Sequence, residues 1–335
     1  MRQASLQPKT SGTLLHIEDL HTYFFTRERT IRALDGVDMR LARSVTAGIV
    51  GESGCGKTML ALSVMRLVPS PGKIVSGHIW FEDKDLLELD EKSMRNIRGG
   101  KISMIFQEPM TSLNPVFTIG DQVAETIALH QKELEGSKSL AFEKAIEVLG
   151  MVGIPNPEKR VKDYPHQLSG GMRQRVMIGI AIACRPKLMI ADEPTTALDV
   201  TSQAQILELM ERLKQEINTS IILVTHDLGV VAEACQDVSV MYMGRVIESA
   251  RTDTLFANPL HPYTTGLMRS RPVLGKTAKS YRLKPIPGTV PTFRDVPKGC
   301  PFHDRCEVAM DICGEEMPPI TFPEESHMVR CWRHA

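Results

Sequence analysis

Between residues 51 and 58 the chain reads Gly51-Glu52-Ser53-Gly54-Cys55-Gly56-Lys57-Thr58. This fits G-x-x-x-x-G-K-[ST], a phosphate-binding loop. Such a loop works only between a buried strand and a helix. The apolar run Val45 to Val50 supplies the strand, and Met59 to Leu67 reads as the helix. Glycines let the backbone wrap phosphate oxygens closely. The helix adds unpaired N–H groups and the positive end of its dipole. Lys57 is placed to reach β- and γ-phosphates, and the Thr58 hydroxyl to bind magnesium. The fixed positions match by chance in about one chain in a hundred of this length.

The rest of the chain reads as strands and helices around that loop. Leu14 to Leu20 and Ile31 to Leu41, separated by the polar turn Thr26 to Arg29, predict an antiparallel β-layer. Tyr23, Phe24 and Phe25 lie between them as core aromatics or as a stacking surface for a base. Ser76 to Phe81 reads as a strand, Leu86 to Ile97 as a helix, and Lys101 to Phe106 as a strand ending at Gln107. Ile119, Val123 and Ile127 mark one amphipathic helix, and Phe142, Ala145, Ile146 and Leu149 a second. Leu168-Ser169-Gly170-Gly171-Met172 opens a helix through Ala183, which makes another anion-ready N-terminus. Leu188 to Glu193 is a buried strand ending in two carboxylates. One suits magnesium and the other an attacking water. Thr195 to Asp199 is a turn, Thr201 to Ile217 a helix, and Ser220 to Thr225 a strand capped by His226. Val238 to Tyr242 and Gly244 to Ser249 read as a closing hairpin.

Lys plus Arg and Asp plus Glu balance at 40 each, so charge makes no case for a nucleic-acid partner. No apolar run approaches the roughly 20 residues of a membrane span, and the polar start lacks a signal-peptide core. A cytosolic chain with seven cysteines points to buried thiols or metal ligands instead of disulfides. Four of them, Cys300, Cys306, Cys313 and Cys331, fall in a Pro-rich tail too poor in apolar periodicity to fold unaided. Their C-x5-C-x6-C-x17-C spacing is not that of a zinc ribbon. Four thiolates suit a four-iron, four-sulfur cluster. Zinc, with His327 replacing a cysteine, and free thiols stay open.

Taken in order from Leu14 to Leu267, these motifs resemble the ATP-binding subunit of an ABC transporter. The resemblance implies an α/β fold: a P-loop ABC ATPase with a mixed sheet, an antiparallel β-layer and a helical subdomain at about 110–168. The ATPase domain would span 14–267 and a small Cys-rich extension 268–335. Two ATP molecules would be sandwiched in a head-to-tail dimer. Carried over, Gly51 to Thr58 hold ATP, with Lys57 on the phosphates and Thr58, Gln107 and Asp192 around Mg2+. Glu193 is the general base, His226 the switch histidine and Gln107 the coupling residue. Ser169, Gly170 and Gly171 contact the partner subunit's ATP, Asp199 lies in the D-loop, and Phe24 stacks on adenine with Tyr23 as rival.

Gln107 to Pro115, His261-Pro262-Tyr263-Thr264, Ile286-Pro287-Gly288 and the cysteine tail are similar to dipeptide and oligopeptide importers. That family implies a second homologous ATPase, two membrane permeases and an extracytoplasmic solute-binding protein. The chain would sit peripherally on the cytoplasmic face of the inner membrane, and the tail would carry a [4Fe-4S] cluster as in some members. Relatives importing nickel leave the cargo open, and a soluble ABC ATPase is the rival of another class. A third reading, a tail that senses iron or redox state and gates the ATPase, is compatible with the importer.

Overall fold

The computed structural model describes residues 12–107, 112–131, 137–196, 198–270, 285–291 and 297–335. The chain forms two compact units. The first joins the segment up to Leu87 with that from Val224 onward, and the second runs from Glu88 to Leu223.

The first unit carries the expected antiparallel layer. Thr13–Phe25 pairs with Thr30–Ala42 on one side and Gly72–Phe81 on the other, and Lys84–Asp85 closes the edge. Leu15, Ile17, Leu20, Leu34, Val37, Leu41, Ile79 and Phe81 are its buried face. The first strand runs five residues past the expected Leu20. A bulge between Ile17 and Leu20 places Asp19 at φ 44°. That breaks the alternation and hides the continuation through Phe25.

A mixed sheet in the same unit positions the nucleotide loop. Thr46–Val50 runs parallel to Asp237–Tyr242, which turns at Met243 and Gly244 into antiparallel Arg245–Arg251. The hairpin does not close the sheet, however. The tail adds His327–Val329 and then Thr321–Glu324 beyond it. Strands of three and four residues are too short to show a period, so the sequence reads as structureless there.

In the second unit Ile102–Ile105 lies parallel to the fully buried Leu188–Asp192. Helices Ile119–His130, Gly170–Ile182 and Val200–Ile217 are opened by Thr118, Ser169 and Asp199. Each cap side chain accepts a backbone N–H of the first turn, as a good N-cap does. Helix Lys138–Met151 buries Ala141, Ala145, Val148 and Leu149. Of the expected stripe, Ala145 and Leu149 are buried as read, while Phe142 and Ile146 are only half-buried and Ala141 and Val148 take their place in the core. The expected helix over Leu86 to Ile97 begins only at Glu91. Asp85 holds the Ile79 and Leu87 N–H groups in a turn, and Asp90 then caps the helix. Residues 108–111, within the glutamine-loop segment, lie outside the described residues. Among those described, no helix is long and apolar enough to cross a membrane.

Candidate functional site

The loop is shaped by what cannot fit in it. A Cβ on Gly51 would lie 2.3 Å from the Met241 carbonyl, and Gly56 sits at φ 108° with Ala33 O at 2.8 Å from its would-be Cβ. Only glycine serves at either position. Gly56 opens helix Lys57–Val64 with no side-chain cap, which leaves the first-turn N–H groups for a ligand. Lys57 is buried, its Nζ donating to Gly51 O at 2.7 Å and Glu52 O at 3.1 Å. Ser53, Gly54 and Thr58 are exposed at the rim. Cys55 is buried under Gly51, and burial pushes its thiol up from the ordinary range. It serves as packing, with its N–H on Glu52 O at 3.3 Å.

Residues distant in sequence grip this loop, a contact that sequence reading missed. Glu52 N–H donates to the Tyr263 hydroxyl at 2.9 Å. The Glu52 carboxylate takes a two-pronged pair from Arg305 at 2.7 and 3.0 Å. Tyr242, Tyr263 and Phe302 pack together beside it, ring centroids 4.7 to 5.4 Å apart. One signal was available: an arginine set inside a cysteine-rich run, where a surface charge would be the ordinary expectation.

In the second unit, Gln107 Nε2 and Thr196 Oγ1 both donate to Glu193 Oε2, at 3.0 and 2.9 Å. Glu193 stands at φ 48° before Pro194. That conformation persists only where the surroundings hold it, and it is typical of working sites. Asp192 is 2% exposed at the end of its strand. Asp199 accepts from Ser202 N–H and Oγ, which lowers its carboxyl below the ordinary range. Ser169 and Gly170 are exposed and Gly171 half-exposed. A Cβ on Gly170 or Gly171 would meet nothing nearer than 3.9 Å. Packing within the chain therefore does not require these glycines.

Two aromatic candidates differ in their surroundings. The Tyr23 hydroxyl donates to Asp35 at 2.7 Å, Asp35 also pairs with Arg245, and Arg32 lies 5.7 Å over the Tyr23 ring. Phe24 has no polar tie and lies against Gly72, where a Cβ would strike its ring at 2.8 Å. His226 is exposed directly after Ser220–Thr225.

The four tail cysteines are unbridged and line one small cavity with His261, Phe302 and Trp332. Burial, reinforced by the neighbouring thiols, pushes Cys300 up to about 12. Gly299 lets the chain close there: its Cβ would lie 2.2 Å from the Cys313 carbonyl, which accepts the Cys300 N–H. Among the described residues no three His, Cys, Asp or Glu side chains are set to hold a single metal ion. His261 accepts the Tyr263 N–H at Nδ1, so its proton is on Nε2, a buried atom with no hydrogen-bond partner among the described residues. Burial pushes His261 down to about 3.

His327 does not line the cavity of the four cysteines. It is fully buried and its Nε2 meets Glu248 at 2.8 Å. Glu248 also accepts Leu260 N–H at 2.7 Å and His261 N–H at 3.0 Å. The Glu248 carboxylate thus has three partners, the His327 imidazole among them.

Comparison with known proteins adds the following. A family model described as ABC transporter matches residues 34–196, and one described as oligopeptide/dipeptide transporter, C-terminal region, matches residues 247–313. The oligopeptide transport ATP-binding protein AppD of Bacillus subtilis is 53% identical over 322 residues, covering 96% of this chain and 97% of that protein. The dipeptide transport ATP-binding protein DppD of the same organism is 48% identical over 320 residues, covering 95% and 94%. Among solved structures, a dimeric ATP-binding cassette in a post-hydrolysis state with ADP and Pi matches with a TM-score of 0.64 and 26% identity, covering 71% of this chain and 98% of that one. CbiO1 from Clostridium perfringens, part of an ABC transporter complex, matches with a TM-score of 0.63 and 27% identity, covering 74% and 92%.

Proposed function

Because this chain belongs to the ATP-binding subunits of peptide ABC transporters, we propose that it hydrolyses ATP to drive uptake of di- or oligopeptides. The observation that carries the peptide reading is where the similarity extends. It runs through the cysteine tail as well as the ATPase core, over 96% of the chain.

Each residue has a role in that reading. Lys57 leaves the Gly51 and Glu52 carbonyls for the β- and γ-phosphates, and the loop amides hold the remaining oxygens. Thr58, Gln107 and Asp192 serve Mg2+. Glu193 takes a proton from the attacking water, aimed by Gln107 and Thr196, and His226 meets the γ-phosphate. Phe24 is favoured over Tyr23 for adenine, since the Tyr23 hydroxyl is already tied to Asp35. Ser169, Gly170 and Gly171 close a second subunit's nucleotide. The open space around both glycines supports this, since only an approach from outside the chain needs them bare.

The partners are a homologous ATPase, two permeases and a solute-binding protein. A groove lined by Phe117, Gln122, Leu129 and Phe142, with Phe117 and Leu129 exposed, offers the permeases an apolar seat. The chain then works peripherally on the cytoplasmic face of the membrane, with residues 14–267 as motor and 268–335 as extension.

For the tail cavity we propose an iron–sulfur cluster in preference to zinc. Four unbridged cysteines surround one space. Separated thiolates suit a four-iron cluster held by Cys300, Cys306, Cys313 and Cys331. The His261 Nε2 proton, unpartnered beside that space, is the donor that an anionic sulfur would use. When bound, the group would supply four metal–sulfur bonds that pin the tail.

The test is ATP hydrolysis by the complex reconstituted in vesicles with its permeases and binding protein. Stimulation by peptide supports the reading. Stimulation by nickel alone moves the cargo to a metal, and absence of hydrolysis contradicts the motor itself.

A further inference from the structure

We infer that Arg305 is a positioning residue for the nucleotide loop, through which the cysteine-bearing tail sets the affinity for ATP. The inference rests on the ATPase reading but not on the cargo.

The geometry runs in one unbroken line from cysteine to lysine. Arg305 closes the short turn His303–Arg305 between Cys300 and Cys306. His303 N–H donates to Cys300 O at 3.1 Å, and Cys306 N–H to His303 O at 3.1 Å. The arginine backbone therefore moves with the cysteines. Its side chain is 5% exposed. Nε donates to Pro287 O at 2.9 Å and Nη1 to the Tyr242 hydroxyl at 3.3 Å. The remaining prongs hold Glu52. A planar guanidinium fixed at every prong orients a carboxylate as well as attracting it.

Glu52 is the second residue of the loop, and its main chain faces the catalytic lysine. Its carbonyl accepts from Lys57 Nζ and Cys55 N–H. Its N–H is held by Tyr263. Glu52 is thus clamped by the tail on one side and by Lys57 on the other. The strength of the Lys57 contact sets what Lys57 gives up when it turns to phosphate, and Arg305 fixes the carbonyl that makes it.

A docking arginine that merely glued the tail down would affect melting and leave ATP affinity alone. The measurement that separates the two is equilibrium binding of a fluorescent ATP analogue to the full-length chain. Glu52→Gln and Arg305→Lys keep side chains of similar size, which protects the fold. Each is expected to weaken binding about tenfold, the scale of one charge-assisted bidentate pair. The double variant is expected to be no weaker than either single one, because both break one contact. Cys306→Ser is expected to weaken binding in the native chain and to add nothing in the Glu52→Gln background.

Native affinity in both Glu52→Gln and Arg305→Lys, whatever their melting temperatures, would overturn the inference. Native affinity in Cys306→Ser, or an equal loss in both backgrounds, would overturn the link to the cysteines. A native chain that binds no nucleotide at all would overturn the ATPase reading instead, and this inference with it.

Discussion

The nucleotide loop and the cysteine tail meet at Glu52, yet they are built in opposite ways. The loop is eight consecutive residues whose work is done by backbone, so its glycines announce it. The tail is four cysteines spread over 32 positions of sequence, held by side chains that pair far along the chain. Arg305 reaches Glu52, and His327 reaches Glu248. A contiguous site is legible. A dispersed one is not, because each partner lies far along the chain.

The sharpest way to break the comparison is to make the loop as fragile as the tail. Gly51→Ala drives a methyl into the Met241 carbonyl. Loss of ATP binding by at least about a hundredfold is expected by calorimetry, with the mutation's cost at a strained position above about 3 kcal/mol. Near-native binding would mean that the loop relaxes freely.

Next comes the buried hub of the tail. Glu248→Ala strands the Leu260 and His261 N–H groups and His327. Chemical denaturation should show a loss of about 3 kcal/mol, as for a buried polar cluster missing one member. Stability within 1 kcal/mol of native, on the same scale of buried-group penalties, would show that water replaces the carboxylate.

His261, beside the tail cysteines, carries a pH dependence. Its folded pKa is depressed, to about 3, below the usual value of 6.5. The unfolded chain therefore binds more protons between those limits, and stability falls as pH falls. The contribution is whole above 6.5 and shrinks by up to about 1.4 kcal/mol per pH unit below it. Melting curves from pH 7 to 5 should slope less in His261→Asn, which keeps an N-cap acceptor for the Tyr263 N–H. Parallel slopes would assign the acid sensitivity elsewhere.

Much of this was legible and some was not, for physical reasons. Lys57, Asp192, Glu193 and Ser169 stand at ends of strands or helices, where backbone geometry alone fixes what they face. Gln107 and Glu193 were each readable, but their 3.0 Å contact was not, because parallel strands place their ends together only after folding. Glu248 sits in Arg245–Arg251 among apolar neighbours and reads as a surface charge. Its partners lie 12 to 79 positions away. The tail strands fell below the length at which a period shows. In the helix Lys138–Met151, Ala145 and Leu149 were read correctly, but Phe142 and Ile146 outweighed Ala141, whose small size fits a close contact and carries little hydrophobic signal.

The smallest effect sharpens the aromatic pair. Tyr23→Phe loses the bond to Asp35 and should cost about 1 kcal/mol in stability without changing ATP affinity. Phe24→Ala should weaken ATP binding roughly fivefold to tenfold, the scale of one lost stacking contact. The reverse pattern would return adenine to Tyr23.

The most direct measurement is uptake of a labelled dipeptide by cells carrying Glu193→Gln at the native locus. The glutamine keeps the shape but cannot take the water's proton. Uptake should fall by a factor of about a hundred or more, the usual worth of a general base, while the variant stays at the membrane and still binds ATP. Native uptake with the variant protein in place would contradict the role of Glu193 as the base that drives peptide import.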